Sequence, residues 1–122
     1  MGRGSVMTMG SVLLLCLLIH TEIADAATYV VGDRRGWTFN TAGWTRGKRF
    51  RAGDVLVFNY SPSAHNVVAV SAAGYNSCSA PRGSRFLTSG KDRVTLSRGT
   101  NYFICSFTSH CQSGMKIAVT AV

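Results

Sequence analysis

The sequence is short of acidic residues, repeats and long apolar runs. Its 122 residues contain 5 Asp and Glu against 13 Lys and Arg, for a formal net charge of +8. So few carboxylates leave little material for a catalytic acid–base pair, and the sequence predicts that the protein is not an enzyme. The length is that of one compact domain, since domains usually have about 100–150 residues.

The most apolar run lies near the N-terminus, at residues 12–19. It is far shorter than the ~20 residues that span a bilayer. Arg3 precedes it, and Ala24-Asp25-Ala26 follows with the small-x-small pattern that signal peptidase cleaves. We therefore predict that residues 1–26 are a cleaved secretory signal peptide and that residues 27–122 form a secreted, extracellular domain. The final residues, 118–122, are typical of a strand and not of a lipid-anchor signal, so no membrane anchor is expected.

Cleavage would increase the charge imbalance. Without Arg3, Glu22 and Asp25, 12 basic residues face 3 acidic ones. One interpretation is a solvated surface that repels its own copies and keeps the protein monomeric. The other is attraction to an acidic partner, such as an acidic protein or an acidic cell-wall polysaccharide. Both stay open, whereas secretion argues against nucleic acid.

Short apolar or alternating runs are separated by turn residues along the rest of the chain. Such runs occupy residues 29–31, 54–58, 66–70, 93–96, 101–105 and 116–122. Frequent short strands between turns predict an all-β antiparallel sandwich or barrel of about seven or eight strands. Short helical segments are expected at residues 41–44 or 72–78.

Three cysteines remain after cleavage, an odd number for an oxidising compartment: Cys78, Cys105 and Cys111. Two can pair, and the third must be free, pair with another molecule or be protected by a ligand such as a metal.

Two histidines, His65 and His110, and one methionine, Met115, also remain after cleavage. Two of these three residues lie within ten residues of Cys105, in the pattern Cys105-x4-His110-x4-Met115. A single loop between two strands can direct these three side chains at one point, and His65, just before another strand, can complete the site. Two imidazoles, a thiolate and a weak axial thioether are typical of a blue copper site. Zinc, the main competitor, prefers sets such as Cys2His2.

Cys111 directly follows His110. Successive side chains of an extended chain point to opposite sides, so if His110 faces the metal, Cys111 faces away and can pair with Cys78. Such a disulfide would close a loop of roughly 33 residues and stabilise the domain by about 3.7 kcal/mol.

Residues 27–122 resemble the phytocyanins, the plant cupredoxins, and within them the plantacyanin or basic blue protein subgroup and its chemocyanin relatives. The motifs that carry the resemblance are Tyr29-Val30-Val31-Gly32 with Gly36-Trp37, His65-Asn66-Val67, Tyr75-Asn76-Ser77-Cys78, Tyr102-Phe103-Ile104-Cys105 and residues 110–117. The resemblance implies a Greek-key cupredoxin fold and one type 1 copper ion. It assigns His65, Cys105, His110 and Met115 as ligands and Cys78–Cys111 as the disulfide. Methionine at 115 separates the chain from the stellacyanins, which use glutamine.

The resemblance further implies single-electron transfer by Cu(II)/Cu(I) cycling in the plant apoplast or cell wall, with the edges of His65 and His110 as the electron exit. The donor and acceptor, a protein or a small molecule, are not specified by the sequence. An alternative is an extracellular signalling or cell-wall protein, active in reproduction or pollen-tube guidance, whose copper is mainly structural. Two dipeptides depart from the family pattern: Arg34-Arg35 stands where small residues are frequent, and Thr108-Ser109 stands where Pro-Gly is frequent.

Overall fold

Seven strands and one short α-helix follow one another in residues 25–122, the part of the chain that the computed structural model describes. The strands are β1 (Thr28–Val30), β2 (Val55–Asn59), β3 (Val67–Val70), β4 (Arg85–Leu87), β5 (Lys91–Thr95), β6 (Gly99–Ile104) and β7 (Lys116–Ala121). Helix α1 (Ala72–Ser77) lies between β3 and β4, and a 3₁₀ turn covers Asp33–Arg35. Of the predicted signal peptide, residues 1–26, all but the last two residues lie outside the described range.

The strands form two sheets, ordered β1-β2-β5 and β4-β3-β6-β7. This confirms the all-β prediction, and the described residues contain seven strands. Within residues 25–122, no helix combines the length and apolar character that crossing a membrane requires.

Burial follows the alternation expected of strands that are covered on one face. Strand β5 alternates exposed and buried residues along its length, and Ile117, Val119 and Ala121 of β7 are all buried. Trp37, Phe58 and Phe103 are the largest buried side chains, and they belong to one apolar cluster. Cys105 and Met115 belong to the same cluster, so the core extends to the predicted ligands.

Three details differ from the sequence-based expectation. Strand β1 pairs with β2 in parallel, whereas an antiparallel arrangement was expected throughout. Residues 41–44 form a hydrogen-bonded turn and not a helix, with the Trp44 amide donating to the Thr41 carbonyl at 2.9 Å. Strand β4 was not predicted; α1, by contrast, falls in the expected range 72–78.

The order β3-β6-β7 determines where the site lies. Strand β3 begins two residues after His65, β6 ends directly before Cys105, and β7 begins directly after Met115. Because both neighbours of β6 are antiparallel to it, the start of β3, the end of β6 and the start of β7 meet at one end of the sheet.

Candidate metal centre

Three of the predicted ligands meet at this end of the sheet. The donor atoms of His65, Cys105 and His110 all lie within 4.8 Å of one another. The two histidine Nδ1 atoms are 3.1 Å apart, and the Cys105 Sγ is 3.5 Å from the His110 Nδ1. Donors about 2.0–2.3 Å from one ion are separated by about 3–4 Å, so these distances suit three ligands of a single metal.

Met115 lies beside Cys105 on the neighbouring segment. The Cys105 amide donates to the Met115 carbonyl at 3.1 Å, one position beyond the Ile104–Lys116 pair of the β6–β7 ladder. Both side chains are fully buried in the same core cluster. The thioether is therefore held on the same side of the sheet as the thiol.

Backbone hydrogen bonds fold the segment between Cys105 and Met115 into consecutive turns. The His110 amide donates to the Phe107 carbonyl, and the Met115 amide donates to the His110 carbonyl, both at 3.1 Å. Gly114, with φ of +83°, lies against Asn40, where an added Cβ would stand 3.3 Å from the Asn40 backbone. This close approach, with the Thr41 amide bonded to the Gly114 carbonyl at 3.0 Å, ties the loop to residues 40–41.

Ser109 has a φ of +68°, in the left-handed region that glycine adopts most easily. This is the position where the family pattern frequently has glycine. The loop keeps that backbone conformation here with a serine in it.

The side chains that follow His65 and Cys105 bind each other. The Asn66 Nδ2 donates to the Ser106 Oγ, and the Ser106 amide donates to the Asn66 Oδ1, both at 2.8 Å. The buried Trp37 indole donates to the Asn66 carbonyl at 2.8 Å. These contacts hold the two ligand segments in register, and the family motif His65-Asn66-Val67 contained their only sequence signal.

Two phenylalanines that no sequence motif singled out flank the histidines. Phe39 packs edge-on against His65 and His110, with ring centroids 5.5 and 4.8 Å away. Phe107 stacks on His110 at 5.7 Å. Both phenylalanines are 37% exposed, so an apolar rim surrounds the half-buried imidazoles.

The surroundings of His65 favour its neutral imidazole, the form that binds a metal. Burial, and secondarily the neighbouring His110, lower the pKa of His65 below its ordinary value. A neutral imidazole keeps a lone pair available for coordination.

The cysteines divide as predicted. Cys78 and Cys111 form a disulfide with their Cα atoms 5.6 Å apart, and Cys105 is a buried free thiol. Cys111 packs with Val68 and Ile104 in a second apolar cluster, apart from the cluster that contains Cys105.

The donor chemistry fits copper. The thiol of Cys105, as a thiolate, and the two imidazoles are a soft-to-borderline set, and this group of donors includes no carboxylate. One type 1 copper ion fits this arrangement, whereas structural zinc sites usually have four strong ligands.

Comparison with known proteins agrees with this chemistry. The family model of the plastocyanin-like domain matches residues 37–115. The chain is 63% identical to a chemocyanin of Lilium longiflorum over 110 residues, 90% of this chain and 87% of that protein. It is 61% identical to a basic blue protein of Arabidopsis thaliana over 106 residues, 87% of this chain and 82% of that protein.

A solved structure shows the same architecture. Cucumber basic protein, a blue copper protein, superposes with a TM-score of 0.78 and 59% identity, over 79% of this chain and all of that one. The two sheets described above are therefore those of a cupredoxin. The chain belongs to the plastocyanin-like family and, within it, to the blue copper phytocyanins.

Proposed function

We propose that this protein is a secreted electron carrier in which His65, Cys105, His110 and Met115 would hold one type 1 copper ion. The observation that carries the proposal is the convergence of three donor atoms, all within 4.8 Å of one another, at one end of the four-stranded sheet. When bound, copper supplies a one-electron Cu(II)/Cu(I) couple. Residues 1–26 are proposed to be the signal peptide and residues 27–122 the mature domain.

The protein's own residues restrain the positions of the proposed ligands. Electron transfer is fast when ligand positions change little between oxidation states. The disulfide, the Asn66–Ser106 hydrogen bonds and the bond from the Cys105 amide to Met115 all restrain the ligand segments. Full burial of the Cys105 and Met115 side chains excludes water from that side of the site.

We further propose that His65 and His110 form the electron exit. Their Nδ1 atoms are 3.1 Å apart, and both imidazoles are half-buried, so part of each histidine reaches the surface. The rim of Phe39 and Phe107 supplies an apolar contact area around those edges. A redox partner docked on this rim would approach the histidines closely.

Electron transfer, not catalysis, is the proposed role because four protein donors leave no obvious position for a substrate. Two of the few carboxylates are committed to the fold. Asp54 accepts hydrogen bonds from the backbone amides of Ala27 and Arg51, and Asp92 accepts them from Tyr60 and Ser89.

Copper titration of the secreted protein tests this proposal. We expect a 1:1 complex with an intense visible thiolate-to-copper band and a reversible one-electron wave in voltammetry. A Cys105→Ser variant should lose the band, while the apo-protein stays folded. Absence of a blue 1:1 complex in the wild-type protein would refute the site. If Cys105→Ser kept the biological activity of the protein, electron transfer would not be its operative function, and a signalling role with structural copper would replace it.

A further inference from the structure

The end of the domain opposite the metal centre carries a dense run of cations. Residues 46–51 have the sequence Arg-Gly-Lys-Arg-Phe-Arg. Phe50 forms a parallel bridge with Ala121, at the far end of β7 from Met115. At about 3.3 Å per residue, six residues of strand place Phe50 ~20 Å from Met115.

Phe50 anchors the run. Its ring is 3% exposed, its carbonyl accepts the Val122 amide at 3.0 Å, and the Ala52 amide donates to the Val122 carbonyl at 3.0 Å. With Phe50 pointing inward, its neighbours Arg49 and Arg51 both project to the solvent side of an extended segment. Both arginines are exposed.

A second segment adds another cation at the same end. Gly99 pairs with Ala121, and the Gly53 amide donates to the Leu96 carbonyl at 2.9 Å. Arg98, between Leu96 and Gly99, is exposed. Arg49, Arg51 and Arg98 together are called the basic end.

Nearby carboxylates neutralise the basic end only weakly. Asp54 is 4% exposed, and its two oxygens accept the amides of Ala27 and Arg51 at 2.9 and 2.8 Å. Asp25 lines the same shallow depression as Arg49 and Arg51. The proposed cleavage after Ala26 would remove Asp25 and leave an α-ammonium group on Ala27 beside Asp54. Processing thus makes this end more positive.

We infer that the basic end is a binding site for an extended acidic polysaccharide, whose uronate carboxylates pair with its guanidinium groups. A guanidinium matches a carboxylate in a bidentate geometry, and a polymer of regularly spaced carboxylates can engage cations from two segments at once. This site lies beyond the proposed electron-transfer function and does not require copper. A protein held here keeps its metal centre free.

Other polyanions match the basic end less well. Among the described residues, the exposed phenylalanines Phe39, Phe86 and Phe107 belong to other segments. The basic end therefore lacks the exposed aromatic platforms on which single-stranded nucleic acids stack, and it lacks the broad apolar face of a membrane-inserting surface.

The test measures binding of polygalacturonate at low salt to the secreted, copper-loaded protein, with its N-terminus verified by mass spectrometry. The triple variant R49Q/R51Q/R98Q should bind about tenfold more weakly, at two- to threefold per exposed ion pair. Added salt should weaken wild-type binding by screening. The blue band and the unfolding temperature report that each charge variant is folded, and the unfolding temperature alone reports it for Cys105→Ser.

A matched triple variant, R34Q/R82Q/K91Q, removes the same charge from exposed positions on other segments. It should change the affinity less than threefold, and Cys105→Ser should not change it. Equal losses of affinity in the two triple variants would mean that net charge alone determines polygalacturonate binding, and the assigned site would be wrong. The inference would also be overturned by absence of polygalacturonate binding, or by equally tight binding to phosphatidylserine vesicles.

Discussion

Asn66 and Ser106 exchange two hydrogen bonds of 2.8 Å, although 40 residues separate them in the chain. Each directly follows a proposed copper ligand, His65 or Cys105. The pair therefore fixes the distance between two ligand segments that come from different parts of the sequence. Asn66 is only 7% exposed, so water cannot readily replace its partners.

Replacing Asn66 by alanine should weaken both stability and metal retention. Loss of both bonds is expected to lower the free energy of unfolding by about 1–3 kcal/mol and to speed copper loss to a chelator. Ser106→Ala removes only the hydroxyl acceptor and keeps the amide donor, so its effect should be smaller. Denaturant unfolding and chelator kinetics measure both effects. An equal loss of unfolding free energy in the two variants would contradict the prediction that Asn66→Ala has the larger effect.

Ser109→Gly should stabilise the ligand loop. The φ of +68° at Ser109 costs a non-glycine residue roughly 1 kcal/mol, and glycine adopts it without that cost. We expect the free energy of unfolding to rise by up to about 1 kcal/mol with the blue band unchanged. Ser113→Gly, in the same loop but without a positive φ, serves as the control and should lower stability. A decrease in stability for Ser109→Gly would show that the serine hydroxyl contributes more than the backbone relief.

Strands β5 and β7 were predicted from alternating sequences, and the structure buries their alternate residues. Strand β4 was not predicted because Arg85-Phe86-Leu87 shows no alternation of polar and apolar residues, and Phe86 is 51% exposed. Its strand conformation comes from pairing with β3, a tertiary contact. The parallel pairing of β1 with β2 was not predicted either, because it too is a tertiary contact. Alternation indicates which face of a strand is buried but not which strand lies beside it.

Removal of the disulfide should cost much of the domain's stability. The Cys78–Cys111 bridge has a sequence separation of 33, and closing such a loop stabilises the folded state by about 3.7 kcal/mol in the chain-entropy model. The double variant Cys78→Ser/Cys111→Ser should lose about that amount in denaturant unfolding. Reduction of the wild-type protein should approach the same value, and a loss below about 1 kcal/mol would contradict the prediction.

Substitution of Met115 should tune the reduction potential and leave the blue colour. The axial ligand adjusts the potential of such sites. An amide oxygen favours Cu(II), and an alkyl group offers no donor, so the potential should increase in the order Met115→Gln, wild type, Met115→Leu. Voltammetry measures the three values under one set of conditions. Identical potentials would mean that the thioether does not contact the metal.

The candidate site was predictable where its residues are close in sequence. The spacing Cys105-x4-His110-x4-Met115 and the odd number of cysteines indicated a metal site in one loop. His65 was the other histidine left after the predicted cleavage. Phe39 could not be found this way, because it lies on a segment far from the other residues and meets His65 and His110 only in the folded protein. The hydrogen bonding between the residues that follow His65 and Cys105 was hidden for the same reason.

Tyr60 should be the last tyrosine to ionise. Burial, and next the hydrogen bond to Asp92, raise its pKa to about 12. The Tyr60 hydroxyl donates to the Asp92 carboxylate and lies 3.0 Å from the Leu87 carbonyl oxygen. Because an unfolded tyrosine loses its proton near pH 10 while folded Tyr60 keeps it, this residue makes the folded state progressively less stable as the pH rises from about 10 to about 12. Below pH 10 it adds no pH dependence.

An ultraviolet absorbance titration of phenolate formation tests this ordering among the 4 tyrosines. The step near pH 12 should vanish in Tyr60→Phe and persist in Tyr75→Phe, although burial also raises the pKa of Tyr75. Asp92→Asn should move the Tyr60 step toward lower pH, because it removes the negative charge that opposes phenolate formation. If that step kept its place in Asp92→Asn, burial alone would account for the raised pKa, and the Asp92 contact would have no part in it.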